Sequence, residues 1–211
     1  KGFHDKEIFD YISVIGGKAI MTSNSHERAS DRTAECLLKI EEEYNYKYDI
    51  VVMIQGDEPM LTPSMISESF APLIKEKKIK VTNLMAEIDE IKEFEDPNEV
   101  KVVVNKRNEA IYFSREAIPS IKKFDKKVKK FKQVCIISFQ RDFLLEFNDM
   151  EQAPLEIIES VDMMRVIEND EIVKMVKTET KTWSVDTLED LIKVEHKMKN
   201  DRLLKSYLNL S

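Results

Sequence analysis

Two patterns of apolar spacing alternate along the chain. Short apolar or alternating runs bounded by turn residues predict strands at 18–21, 51–54, 81–85, 100–105, 110–114, 133–139, 172–176 and 182–185. Between them, apolar residues recur at helical spacing. The window 5–15 presents Ile8, Phe9, Ile12 and Ile15 and stops at Gly16-Gly17. Ala34, Leu37 and Leu38 mark the buried face of the next helix. Met65, Ile66, Phe70, Leu73 and Ile74 do so over 63–77. A short helix is expected over 142–147, and a continuous one over 154–168 with Leu155, Ile158, Val161 and Met164 inward. A last helix over 188–198 buries Leu188, Leu191, Ile192 and Val194. Strands alternating with helices predict one α/β domain with a mostly parallel sheet. The runs at 100–105 and 110–114, four residues apart, read as a hairpin. With the lysine-rich stretch after them they form an inserted or edge subdomain over roughly 97–135.

The run Val51-Val52-Met53-Ile54 reads as a strand buried on both faces. It ends in Gln55-Gly56-Asp57-Glu58-Pro59, and Thr62 and Pro63 suit the N-cap and first position of the following helix. Ligands of open α/β sheets bind outside the carboxyl ends of strands, so Asp57 and Glu58 stand where a metal-phosphate ligand would be held. The same residues also make a good turn. The polar stretch 22–32 is a candidate binding loop, with Ser30 able to cap the helix after it. His26 has no second ligand at metal-site spacing. Arg115 is either a surface charge or a bidentate clamp for a carboxylate. Asp186 suits a helix N-cap. The stretch 122–132 holds seven lysines and reads as a solvated loop or as a cationic funnel for an anionic substrate.

Composition narrows the class. Apolar residues make up 42% of the 211 and support a real core. A net charge of −7 gives nucleic acid no electrostatic claim as the main partner. No apolar run approaches the roughly 18 residues of a membrane span, and the first residues lack the apolar stretch of a signal peptide. Cys36 and Cys135 supply neither a disulfide framework nor zinc spacing, which fits buried thiols in a reducing cytoplasm.

Six motifs in order resemble the 3-deoxy-manno-octulosonate cytidylyltransferases, the CMP-Kdo synthetases. They are Met21-Thr22 with His26 and Ala29-Ser30-Asp31-Arg32-Thr33-Ala34-Glu35; Gln55 to Pro59; Pro97-Asn98 with Val100-Lys101-Val102-Val103; Tyr112-Phe113-Ser114-Arg115 with Ile118-Pro119; Pro154-Leu155-Glu156; and Val185-Asp186-Thr187 with Glu189-Asp190-Leu191. The resemblance implies a three-layer, Rossmann-like nucleotide-diphospho-sugar transferase fold. It implies transfer of a cytidylyl group from CTP to the anomeric hydroxyl of an acidic eight-carbon sugar, releasing diphosphate, for lipopolysaccharide synthesis. By the same resemblance Asp57 and Asp186 hold Mg²⁺, which displaces the turn and cap readings of those two residues. Ser30, Asp31 and Arg32 lie by the nucleotide, Gln55 by both substrates, Arg115 on the sugar carboxylate and Glu156 on sugar hydroxyls. A homodimer is also implied.

Three departures are evident. The family opens with a strand and a PAR-x-x-S-x-RLPGKPL triphosphate loop that is not in this sequence, which reads as a fragment or as lacking that segment. ASDR replaces the usual SGTDR. Gln133 and Ile137 stand where the family carries His and Tyr at the sugar, which suggests a variant octulosonate such as an amino-substituted one. Another nonulosonic acid of sialic type is an alternative substrate. A catalytically silent homologue serving as a binding or oligomerisation subunit is an alternative of another class.

Overall fold

A computed structural model describes residues 6–123 and 128–207. Its frame is a six-stranded sheet organised on one long strand, β5 (Phe131–Gln140). Along one edge of β5 lies β2 (Val81–Glu87), antiparallel to it, followed by β6 (Val173–Lys177), parallel to β2. The other edge is shared by two strands. β1 (Ile50–Ile54) pairs with the carboxyl half of β5, while β3 (Lys101–Val104) pairs with its first two residues. β4 (Ala110–Ser114) completes the hairpin with β3 and forms the sheet's edge.

The expected parallel character survives in direction but not in pairing. β1, β2, β3 and β6 point one way, yet β5 runs against them between β1 and β2, so β2–β6 is the parallel ladder.

Alternation of side chains along the strands builds two cores and hence three layers. Val81, Met85, Ile137 and Phe139 face α2 (Ala29–Tyr44), α5 (Arg141–Asp149) and α7 (Met163–Glu168) through Leu37, Phe143, Phe147 and Met164. Leu84, Ala86, Val134 and Ile136 face the other way, onto Met65 of α3 (Pro63–Lys75). Thr62 caps α3, accepting from Met65 N, with Pro63 at its first position as expected. α4 (Ile91–Glu95) bridges β2 to the hairpin and buries Phe94.

Several expected elements differ. Residues 18–21 and 182–185 form no ladder. The first segment is held by side chains of α2: Lys39 Nζ donates to Met21 O, and Lys18 binds Glu43 and Tyr44. The second makes one backbone bond to the sheet region, Val185 N to Asp57 O at 2.9 Å. The helix expected over 154–168 is two helices, α6 (Pro154–Glu159) and α7, because Ser160 is left-handed at φ 53°. β1 is not buried on both faces: Met53 is buried but Ile54 is 38% exposed. Leu38 and Ile74 point outward. In α8 (Leu188–Met198) only Val194 is buried, and Leu188, Leu191 and Ile192 are exposed. α1 (Lys6–Val14) and α9 (Arg202–Tyr207) bury no residue. Of the lysine stretch, 124–127 lie outside the described residues. Its end is not solvated: Lys132 is buried, with Glu93 at 2.8 Å and Glu99 at 3.0 Å.

A half-buried ion pair ties α2 to the start of α5. Arg141 donates from Nε and Nη2 to the two oxygens of Glu41, at 2.8 and 2.7 Å, and Tyr48 N adds a third donor. Arg141 first, and then that backbone N–H, pull the Glu41 carboxyl from 4.5 down to about 2. A depressed carboxylate stabilises the fold above its ordinary pKa and loses that contribution as pH falls through the lowered one. The melting temperature is therefore expected to drop between pH 4.5 and about 2. Glu41→Gln should melt lower at neutral pH and lose less over that acid window. Thermal scans against pH check this, and parallel curves for the two proteins would refute it.

Candidate active site

The shared edge of β5 leaves a gap. β3 covers Phe131 and Lys132, β1 covers Ile136 to Gln140, and the residues between are met by loops. Gln133 N donates to Val100 O at 2.8 Å, and Gln55 N donates to Cys135 O at 3.2 Å. The turn that ends β1 is thus stitched to the middle of β5. A register shift between Asn83 and Leu84 of β2 accompanies this irregular stretch. Asn83 Nδ2 takes Val134 O at 2.7 Å, so its Oδ1 must accept, and Gln133 Nε2 donates to it at 2.6 Å. That orients the Gln133 amide, leaving its oxygen as an acceptor and its second N–H as a donor.

Asp57 sits in the turn Gln55–Glu58, closed by Glu58 N donating to Gln55 O at 3.3 Å. The Val185 N bond to its carbonyl brings Asp186 alongside. Asp57 Oδ1 is buried and lacks a hydrogen-bond partner. Burial first, and then the charge of Asp186, hold the Asp57 carboxyl above the ordinary range. Asp57 is thus a carboxylate with an orphaned oxygen beside a second carboxylate, an arrangement that suits a cation. Among the described residues no group of three or more His, Cys, Asp or Glu forms a metal cage. A cation held by this pair would complete its shell with phosphate and water, as magnesium does. Gly56 has open space where a Cβ would lie, which leaves the turn backbone approachable. Asp186 is not the cap of α8. Thr187 is, accepting from Asp190 N while the Asp190 carboxylate binds Thr187 N, and the Asp186 carboxylate accepts the Ser184 hydroxyl at 3.0 Å.

Glu58, expected beside Asp57 at the ligand end of the strand, is buried. Its Oε1 accepts from Cys135 N at 3.3 Å and its Oε2 is unpartnered. Burial, more than the neighbouring Asp57, lifts its carboxyl to about 7. The signal in the sequence is a second acid directly after Asp57, facing back toward β5 where the turn reverses.

Arg115 leaves the hairpin beside Lys101, because Ser114 pairs with Lys101 and Lys101 pairs with Lys132, next to Gln133. Its guanidinium is held by neutral carbonyls: Nε to Glu159 O at 2.9 Å, Nη1 to Pro97 O at 3.0 Å and Nη2 to Ser160 O at 3.5 Å. Among the described residues no carboxylate pairs with that guanidinium, so its charge remains for an anion. Lys101 is fully buried, and its ammonium spends its donors on the carbonyls of Asp96, Glu99 and Arg115.

Other expected residues are placed elsewhere. Ser30 is not a cap; it lies inside the first turn of α2, buried, donating to Asp162 Oδ2 at 3.0 Å. Asp31 accepts from Arg28 N, the residue that actually precedes the helix. Arg32 holds the 22–26 loop by donating to Thr22, Ser23 and His26. Glu156, expected on sugar hydroxyls, is fully buried, and both its oxygens bind Arg165, at 2.6 and 2.7 Å.

The cytidylyltransferase family profile matches residues 4–205. The chain is 35% identical over 204 residues to a 3-deoxy-manno-octulosonate cytidylyltransferase of Geobacter metallireducens, covering 92% of this chain and 78% of that one. It is 36% identical over 199 residues to the protein of that name from Fusobacterium nucleatum, covering 94% and 79%. The solved structure of a CMP:2-keto-3-deoxy-manno-octonic acid synthetase complexed with CTP superposes with a TM-score of 0.81 at 31% identity, over 92% of this chain and 78% of that one.

Proposed function

The chain belongs to the cytidylyltransferase family, and on that premise we propose that it transfers the cytidylyl group of CTP to 3-deoxy-manno-octulosonate or a close variant, releasing diphosphate. The observation that carries the reading is the pairing of Asp57, with its buried unpartnered oxygen, and Asp186 outside the carboxyl end of β1. The anomeric hydroxyl oxygen bonds to the α-phosphorus, the bond from that phosphorus to the bridging oxygen breaks, and the hydroxyl proton passes to water. Asp57 and Asp186 would hold a magnesium ion, which when bound offsets the charge that builds on the phosphate. Arg115 takes the sugar carboxylate, supported by a guanidinium that neutral carbonyls orient without neutralising. Gln55 and Gln133 flank the reacting groups from the turn and from β5. Ser30, Asp31 and Arg32 act on the nucleotide side indirectly, by ordering the start of α2 and the 22–26 loop. Catalysis of this kind rests on positioning and electrostatics.

The Gln133 amide oxygen is an acceptor, which suits a sugar hydroxyl and equally an amino group. That feature keeps an amino-substituted octulosonate as a second candidate substrate. The reading includes a homodimer, supported by the exposed apolar residues of α8, and action in the cytoplasm, supported by the free thiols Cys36 and Cys135 and by CTP as donor. The test is diphosphate release from CTP and Mg²⁺ with 3-deoxy-manno-octulosonate, its 8-amino analogue and N-acetylneuraminate. Release with an octulosonate is expected. Silence with both octulosonates beside turnover of N-acetylneuraminate would move the assignment to sialic-type sugars.

A further inference from the structure

Three polar groups of one four-residue motif converge on a residue 44 to 47 positions away. Tyr112 Oη and Ser114 Oγ donate to Glu159 Oε1 at 3.1 and 3.0 Å, and Arg115 N donates to Glu159 Oε2 at 3.0 Å. The main chain of the same glutamate accepts Arg115 Nε at 2.9 Å. That carbonyl is available because Ser160 turns left-handed and ends α6; in a continuous helix it would accept the N–H four residues on. Arg115 is thus gripped by one residue at two points, its backbone N–H and its guanidinium Nε. The carboxylate meets only the backbone of Arg115, so it orients the guanidinium without cancelling its charge.

We propose that Glu159 is a positioning residue that sets the Arg115 guanidinium for the substrate's carboxylate. The proposal rests on Arg115 being the carboxylate clamp. Tyr112 and Ser114 complete the grip by locking the glutamate rotamer, and the left-handed Ser160 turns the second carbonyl to Arg115 Nη2. A charged acceptor with three donors is a strong local anchor. Replacing it by an amide turns one oxygen into a donor that faces other donors.

The experiment is steady-state kinetics of the full chain with both substrates varied, together with melting temperatures. Glu159→Gln should raise the KM for the acidic sugar about tenfold, leave the KM for CTP within about twofold and barely move the melting temperature. Arg115→Ala should raise the sugar KM further, and adding Glu159→Gln to it should change nothing more, the mark of coupled residues. Tyr112→Phe with Ser114→Ala removes two donors while keeping the carboxylate, and should raise the sugar KM about threefold. It stands in for Glu159→Gln where the latter melts below the assay temperature. If Arg115→Ala raises the sugar KM and neither Glu159→Gln nor the paired variant does, Glu159 does not position the clamp. If both KM values rise together with a lower melting temperature, its role is structural and the proposal falls. If Arg115→Ala leaves the sugar KM unchanged, the clamp reading itself fails and takes this one with it.

Discussion

Asp57→Asn is expected to reduce diphosphate release by about a thousandfold while leaving a folded protein that melts no lower than the parent. The kinetic half follows from what an oxygen pair does at this point. A cation at a phosphoryl site is worth several kcal/mol of charge stabilisation, and ~4 kcal/mol corresponds to about a thousandfold in rate. An amide keeps the size of the side chain but loses the charge that pairs with Asp186. The stability half follows from the orphaned Oδ1 and the neighbouring carboxylate. An acid held above its ordinary pKa costs the fold stability once pH is high enough to ionise it, and that cost persists at neutral pH. Asparagine removes it. The parent should therefore melt lower, relative to the variant, as pH rises from mildly acidic to neutral. Rates and calorimetry of the two proteins at both pH values test this. A variant that keeps a tenth of the parent rate would mean that Asp57 does not carry the chemistry.

What could be read in advance divides along a physical line. Local patterns report local structure, so the turn after β1, the cap at Thr62 and the hairpin from Lys101 to Ser114 were all legible. Whether an extended segment finds a neighbour is not local. Residues 18–21 and 182–185 have strand-like composition and no ladder, because pairing depends on which backbone lies beside them. The cap of α8 falls one residue after the expected Asp186, at Thr187, because Asp190 completes a capping box with Thr187 and leaves the Asp186 carboxylate outside it. The break at Ser160 leaves no clear trace in the apolar spacing of 154–168, which fits one helix as well as two. The burial of Glu58 and the role of Glu159 were hidden for another reason. Their partners, Cys135 and the Tyr112–Arg115 strand end, are distant in sequence, and burial of a charged residue is invisible until the surrounding elements are packed.

Glu156→Gln is expected to cost the fold about 3–5 kcal/mol. The side chain is fully buried, and so, at 3% exposure, is that of its partner Arg165. The two are joined by paired hydrogen bonds, and Glu156 also accepts Ala153 N at the start of α6. Arg165 Nη1 donates to Phe147 O and Met150 O and the guanidinium stacks over the Phe147 ring at 4.5 Å, so it joins α7 to the end of α5. Without the carboxylate, the guanidinium stays buried with no directly bonded anion. At this chain length the loss corresponds to a melting temperature lower by ~10 °C. Arg165→Met in the Glu156→Gln background removes the stranded charge and should recover a good part of that loss, because deleting both members of a buried pair costs far less than deleting one. Kinetics separate this role from contact with sugar hydroxyls. Measured well below its melting temperature, Glu156→Gln should bind the acidic sugar as the parent does, whereas a hydroxyl-binding residue would raise the sugar KM with little change in melting.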